Sequence, residues 1–345
     1  MQMRHILLSG IFFLSTSMVL GQRIITDVSK SGTSAATFLE IPIGAPAVGM
    51  GSAFVSLASD ATALYWNVAG TAELEHNEIV ALHISWLGGT NLDFAGLVFS
   101  LGNFGNIGIS LTSLSMDDMV VRTVEQPAGT GEFFNASDIA AGLSYSRKLT
   151  DRFSFGFTAK YIREEIWHES ASAFAIDVGT IFRTDLFAGM IIGASISNFG
   201  AKMELSGRDT RRFGRVDETK LGSNERIPFN VELDSWSLPL LFQFGVSTNV
   251  VQNENQRWTV AVDALHPSDD YESVNIGIEY AFQDFLFLRG GYQALFLDNV
   301  EGGLSFGAGI KANMLFSNAT IKADYAFREM GRLENIHVFS FGVIF

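Results

Sequence analysis

Gly303-Leu304-Ser305-Phe306-Gly307 has the G-x-S-x-G spacing of a serine nucleophile on a sharp strand-to-helix elbow. Its neighbours alternate with a period of two, so the glycines and the serine share one face of a strand and no elbow is expected. The histidines after the leader, His76, His83, His168, His266 and His337, are scattered without metal-ligand spacing, and H-E-x-x-H does not occur. With 0 cysteines, thiol catalysis, disulfides, cysteine-bound metal and a lipoprotein anchor are excluded. Charged residues remain. Lys160, Asp177, Arg257, Asp263, Glu279, Arg289, Lys311, Lys322 and Asp324 fall on the polar side of alternating segments, and their mixed signs suit a cross-braced interior better than an ion-selective ring. The expectation is a protein that binds, with no enzymatic constellation, no cofactor and no metal.

One region has the composition of a partner surface. The stretch 199–237 mixes Arg208, Arg211, Arg212, Arg215, Lys220 and Arg226 with Glu204, Asp209, Asp217, Glu218 and Glu225, and adds Phe213, Phe229 and Trp236. Arginine and aromatics are enriched at binding hot spots, and a loop this long without evident secondary structure is usually functional or disordered. Arginines clustered there could dock a protein or the phosphates of lipopolysaccharide.

The elements that would carry these residues follow from composition and periodicity. The 345 residues are 47% hydrophobic and only 17% charged, with 34 glycines, 30 phenylalanines and a formal charge of −14. That acidity argues against a nucleic-acid partner. Ile6 to Leu20 is an uninterrupted apolar run after Arg4 and His5, and it ends at Val19-Leu20-Gly21, so residues 1–21 read as a removed signal peptide. Beyond it no stretch is long and apolar enough for a transmembrane helix. From Glu78 onward, segments of about ten to thirteen residues alternate, the length at which a tilted strand crosses a bilayer. Phe153, Phe155, Phe157, Ala159 and Tyr161, for example, interleave with Ser154, Gly156, Thr158 and Lys160.

Fourteen such strands are expected, near 78–88, 91–101, 105–115, 136–148, 151–164, 172–184, 189–198, 238–250, 256–266, 272–282, 285–295, 304–313, 318–328 and 335–345. Asp117 to Glu125 reads as an extension of the third. The even count fits a closed antiparallel transmembrane β-barrel, an all-β membrane protein of the bacterial outer membrane in contact with lipid and lipopolysaccharide. Short turns alternate with longer loops, a parity that puts both chain ends in the periplasm. His337, Phe339, Phe341, Val343 and Phe345 alternate up to the last residue, and the terminal Phe341, Val343 and Phe345 resemble the signal read by the barrel-assembly machinery of Gram-negative bacteria.

Residues 22–77 do not alternate. Phe54, Leu57, Ala58, Ala61 and Leu64 have helical spacing within Ala53–Leu64, which reads as a short amphipathic helix between glycine-rich turns. The segment is too small to stand as a domain, so it is expected as a plug inside barrel 78–345. The run from Gly44 to Gly70, carrying Gly49, Gly51, Asp60, Tyr65, Trp66, Asn67, Ala69 and Gly70, resembles the signature of the PorV/PorQ family (UPF0164), within the FadL-like superfamily of outer-membrane barrels. It departs at Pro46, Ser52, Ser59 and Val68, where the signature has Arg, Gly, Asp and Pro. The resemblance implies a FadL-like barrel with an N-terminal hatch. It also implies a PorV-like role, in which secreted cargo proteins or a secretion translocon are bound during type IX secretion. The alternative it leaves is a FadL-like passive channel for hydrophobic small molecules.

Overall fold

Period-2 alternation commits each segment to one lumen-facing and one lipid-facing row. The computed structural model describes residues 32–187, 189–215, 219, 226–297, 302–314 and 318–345, and there the rows become one sheet. The strands are β1 (Glu78–Ser85), β2 (Thr90–Ser100), β3 (Asn106–Met116), β4 (Ala136–Thr150), β5 (Phe153–Ile166), β6 (Glu169–Arg183) and β7 (Ile191–Gly200). They continue as β8 (Leu241–Gln252), β9 (Gln256–Pro267), β10 (Ser273–Phe282), β11 (Leu286–Leu295), β12 (Leu304–Asn313), β13 (Thr320–Arg328) and β14 (Ile336–Ile344). Neighbours in sequence pair antiparallel, and β1 pairs with β14 from Glu78↔Ile344 to Ile84↔Val338, which closes a barrel of fourteen strands. A fifteenth strand of the sheet, Ser206–Gly207, only extends the edge of β6. Every expected strand is present.

The outward rows are apolar, with Phe157, Phe174, Ile196, Phe244, Ile278, Phe306, Phe339 and Phe341 among the exposed side chains. In water such a surface would aggregate; in a bilayer it is the solvated face. The wall is uneven in height, because β4, β5 and β6 have 15, 14 and 15 residues whereas β1, β13 and β14 have 8, 9 and 9. The tall side rises toward the rim that carries the long loops. Two short hairpins stand on that rim, Met119–Val120 with Phe133–Phe134 and Arg211–Gly214 with Ile227–Asn230. The first replaces the expected extension of β3, whose ladder stops at Met116. The second gives structure to a loop expected to have none.

The plug fills the middle of the lumen. Its chain starts at the long-loop rim, where the Ala35 N–H reaches Ser237 O (2.9 Å) and the Ala36 N–H reaches the Glu164 carboxylate (2.8 Å). It then descends through a 3-10 turn (Thr37–Glu40), α1 (Ala45–Gly49), α2 (Ala63–Trp66) and a second 3-10 turn (Val68–Glu73) to β1. Phe345 lies at the other rim, its N–H on Asn77 O (3.0 Å). The expectation of both ends at one rim concerns an N-terminus that lies, with the expected leader 1–21, among residues 1–31, outside the described residues.

The helix expected over Ala53–Leu64 is also displaced. The Phe54 and Val55 N–H groups are taken by the Asp263 carboxylate on β9 (2.7 and 2.8 Å), so this stretch is tied to the wall instead of winding on itself. The Asp60 carboxylate takes the Thr62 N–H (2.9 Å), an Asx turn immediately before α2. Pro46, in the first turn of α1, favours the earlier helix.

Candidate functional site

The signature residues of the plug are brought together, and each fastens backbone to backbone. The Tyr65 hydroxyl lies 2.9 Å from both Leu39 O and Ile41 O, and Trp66 Nε1 donates to Ile43 O (3.0 Å). Burial, with Glu40 and then Asp177 near, pushes the Tyr65 phenol well above its usual range, so it stays a donor. Asn67 bridges plug and wall: Nδ2 donates to Val55 O (2.9 Å) and to Thr180 O of β6 (3.0 Å), while Oδ1 accepts from Ala69 N (3.2 Å). Gly70 packs on the Ala58 carbonyl and Ala69 is fully buried. Gly51 adopts φ +64, and a Cβ there would come within 2.5 Å of Tyr292 N.

The wall answers with its own glycines. A Cβ at Gly156 would meet Val68 C at 2.9 Å and one at Gly193 would meet Val55 O at 2.5 Å, while at Gly179, Gly277 and Gly291 it would strike Asn67, Met50 and Gly51. Strands from β5 to β12 thus let plug backbone lie directly on wall backbone, with Gly49 against Gly307 completing the contact. Ser305 takes the Gly51 N–H on its hydroxyl (3.0 Å) and sits within β12, so the G-x-S-x-G run is part of this seat.

Below the plug, toward the tight turns, a cavity of about 410 Å³ is ringed by ion pairs. Arg257 meets Glu279 (3.3 Å), Arg289 meets Glu279 (2.8 Å) and Asp324 (2.6 Å), and Lys322 meets Glu78 (2.8 Å). Glu73 at the plug's exit is held by Lys148 and Arg183, both at 3.2 Å. Of the charges read from the sequence, Arg257, Glu279, Arg289 and Asp324 brace one another, Lys322 braces Glu78 and Lys160 pairs with Asp177 (2.8 Å), whereas Asp263 holds plug N–H groups and Lys311 joins no ion pair among the described residues.

Above the plug a second cavity of about 530 Å³ opens toward the loops. Phe38, Trp86, Leu114 and Met330 line part of it, Asn198, Gln243, Asn275 and Gln293 another part, and Arg328 projects into it from the end of β13. Glu40 shares this cavity. Burial, then the neighbouring Asp269 and Asp270, raise its carboxyl from 4.5 to about 7. Alternation puts Arg328 on the polar row with Lys322, Asp324 and Ala326 without setting it apart, and Glu40 is 229 positions from Asp269, beyond any local pattern.

The crown of the barrel gathers the arginines. Arg208 Nη2 lies 2.7 Å from His168 Nε2, whose Nδ1 is 2.7 Å from Asp209. Trp167 stacks on His168 with centroids 4.3 Å apart, Arg211 lies 5.5 Å over the Phe213 ring, and Arg212 donates to Asp209 O (2.6 Å). Phe213, Phe229 and Trp236 are 62%, 51% and 45% exposed. Arg215 lies beyond the hairpin strand; Lys220 and Glu225, with Asp217 and Glu218, lie outside the described residues. At the opposite rim Phe341 and Phe345 point outward and Val343 lies between them.

A closed, plugged, antiparallel barrel of fourteen strands is the fold of FadL-like barrels. Solved structures agree at the level of fold: a Pseudomonas aeruginosa FadL homologue is 13% identical, with 88% of this chain and 98% of that one aligned and a TM-score of 0.51. The Pseudomonas putida toluene transporter TodX (13% identical, 88% and 97% covered, TM-score 0.54) and the CymD monoaromatic hydrocarbon channel (11%, 88% and 97%, 0.54) share it. No curated protein sequence matches. Residues 25–223 match the family described as Type IX secretion system protein PorV, and the chain belongs to that family.

Proposed function

We propose that this barrel assists type IX secretion by binding exported cargo or translocon components at its loop-side rim, held in the outer membrane with that rim facing outward. The observation that carries this reading is the crown, where exposed Phe213, Phe229 and Trp236 interleave with Arg208, Arg211 and Arg212 above a lumen shut by the plug. Exposed aromatics among arginines are the composition of a protein-binding hot spot. Family membership supports the secretion setting. On this reading residues 1–21 are removed on export, Phe341, Val343 and Phe345 engage the barrel-assembly machinery, lipid and lipopolysaccharide surround the wall, and no reaction is catalysed.

A channel for hydrophobic compounds is the competing reading, and the loop-side cavity is the feature that favours it. Against it stand the glycine-seated plug and the ion-paired vestibule below, which give an apolar solute no apolar exit toward the tight turns. The deciding experiment is purification from outer membranes in mild detergent with mass spectrometry of what accompanies the barrel. Exported proteins or a large translocon barrel are expected. A lipophile bound stoichiometrically, with no protein partner, would overturn the proposal.

A further inference from the structure

The lumen-facing row of β8 runs Gln243, Gly245, Ser247, Asn249 where the plug bears on β7, β8 and β9. At its upper end Gln243 accepts from Ser195 (3.5 Å), and at its lower end Asn249 accepts from Thr259 (2.9 Å). Between these two layers three oxygens stay unsatisfied: Ser247 Oγ, Asp263 Oδ1 and the plug's Ser56 Oγ are all buried without a hydrogen-bond partner. Cross-strand register puts the two wall residues side by side. Gly245 stands between Gly193 and Asp263, and Ser247, next in the same row, stands between Ile191 and Ala261. A Cβ at Gly245 would strike Asp263 Oδ1, one at Gly193 would meet Ser56 Cα at 2.7 Å, and Ala261 packs with Leu57 of the plug. All three oxygens therefore belong to one seam between plug and wall.

The charge of the seam narrows what completes it. Asp263 is fully buried and joins no ion pair among the described residues; its Oδ2 is spent on the Phe54 and Val55 N–H groups, and its Oδ1 has nothing opposite it. A buried charge is costly unless it is paired. A bridging water would satisfy the hydroxyls and leave that charge uncompensated, whereas a cation answers both. Carboxylate and hydroxyl oxygens are hard ligands, and one carboxylate among neutral oxygens balances a single positive charge; calcium takes about six to eight oxygens. Val55 O, which spends one lone pair on Asn67 Nδ2 (2.9 Å), adds a neutral donor. Ser56 also lines the lower cavity, which gives an ion a way in from the vestibule. We propose that Asp263, Ser56 and Ser247 hold a monovalent cation of sodium's size, which clamps plug residues 54–56 to β8 and β9. The clamp acts on the plug and owes nothing to the partner bound at the crown.

Thermal unfolding of the full-length barrel in a non-ionic detergent tests it, in sodium chloride against choline chloride at equal ionic strength and pH 8. Sodium is expected to raise the midpoint by about 2–4 °C with a saturable concentration dependence, as a ligand of the folded state does. Ser247→Ala removes one ligand and leaves both hydrogen bonds from the plug to Asp263 in place, so it should fold and lose most of the sodium response. Asp263→Asn should lose all of it, whatever its own midpoint. In crystals soaked with thallium(I), an anomalous peak is expected between Asp263 Oδ1 and Ser247 Oγ. Equal midpoints in sodium and choline, or a full sodium response kept in Ser247→Ala, overturns the assignment. So does stabilisation by micromolar calcium with none by sodium. Water density at the seam without a thallium peak sinks it as well, and makes the three oxygens the walls of a structural water.

Discussion

The two halves of the lumen, divided by the plug, are braced to different degrees. Toward the tight turns nearly every charge has a partner, as in the run Arg257–Glu279–Arg289–Asp324, and plug backbone lies on wall glycines. Toward the loops Lys160 pairs with Asp177 (2.8 Å), but Arg328 joins no ion pair among the described residues and Asp269 Oδ1 is buried without a partner, as Glu78 Oε2 is below the plug; the aromatic side chains of the crown are exposed. Satisfied networks rigidify; unsatisfied groups are strain unless a ligand completes them. One half of the lumen is cross-braced by ion pairs, and the other leaves a guanidinium outside them.

Removing a brace from the closed half should cost most. Arg289→Met leaves Asp324 buried without its cation and Glu279 with Arg257 alone, and should destabilise the barrel by about 3–5 kcal/mol in urea unfolding. A loss under about 1 kcal/mol would mean that water in the vestibule screens these charges. Gly291→Val drives a side chain into the Gly51 backbone and should cost about 3 kcal/mol, unseating the plug so that planar-bilayer conductance rises from a closed baseline. Unchanged conductance would break the contrast between the halves. Asp263→Asn keeps the shape but offers weaker acceptance to the Phe54 and Val55 N–H groups, for an expected loss of about 1–2 kcal/mol.

In the contact half the stability effects shrink and functional ones take over. Arg211→Ala with Phe213→Ala should change stability by less than about 0.5 kcal/mol yet reduce the exported protein that co-purifies. The smallest effect concerns Glu40. Its folded value of about 7 lies above the ordinary 4.5, so its contribution to seating the strap 32–40 is complete below pH 4.5 and is lost as pH rises through about 7. The groups facing it are Asp269, Asp270 and the Tyr65 hydroxyl. Amide exchange in the strap, corrected for intrinsic rates, should be faster at pH 8 than at pH 5.5, and Glu40→Gln should flatten that difference.

The same division explains what could be read in advance. All fourteen strands were legible because alternation is local and the bilayer demands it of every crossing segment. Plug residues Gly49 to Gly70 were legible as a motif, but their winding was not: Phe54 and Val55 answer to Asp263, more than two hundred positions away. The Arg211–Gly214 hairpin strand is four residues long, too short for a period to show. Arg328 sat in plain alternation with Lys322, Asp324 and Ala326. Only the absence of a carboxylate beside it sets it apart, and absence of a neighbour is a property of the folded chain.

The plug's passage from one rim to the other also bears on how the molecule is made. Residues 32–77 run through the ring that the β1–β14 pairing closes, and they precede every strand of that ring in the chain. A thread anchored at both mouths is set in place most simply while the ring is still open. The segment synthesised early then becomes the mandrel around which the sheet curls, and β14, pairing with β1, fastens the hoop over it.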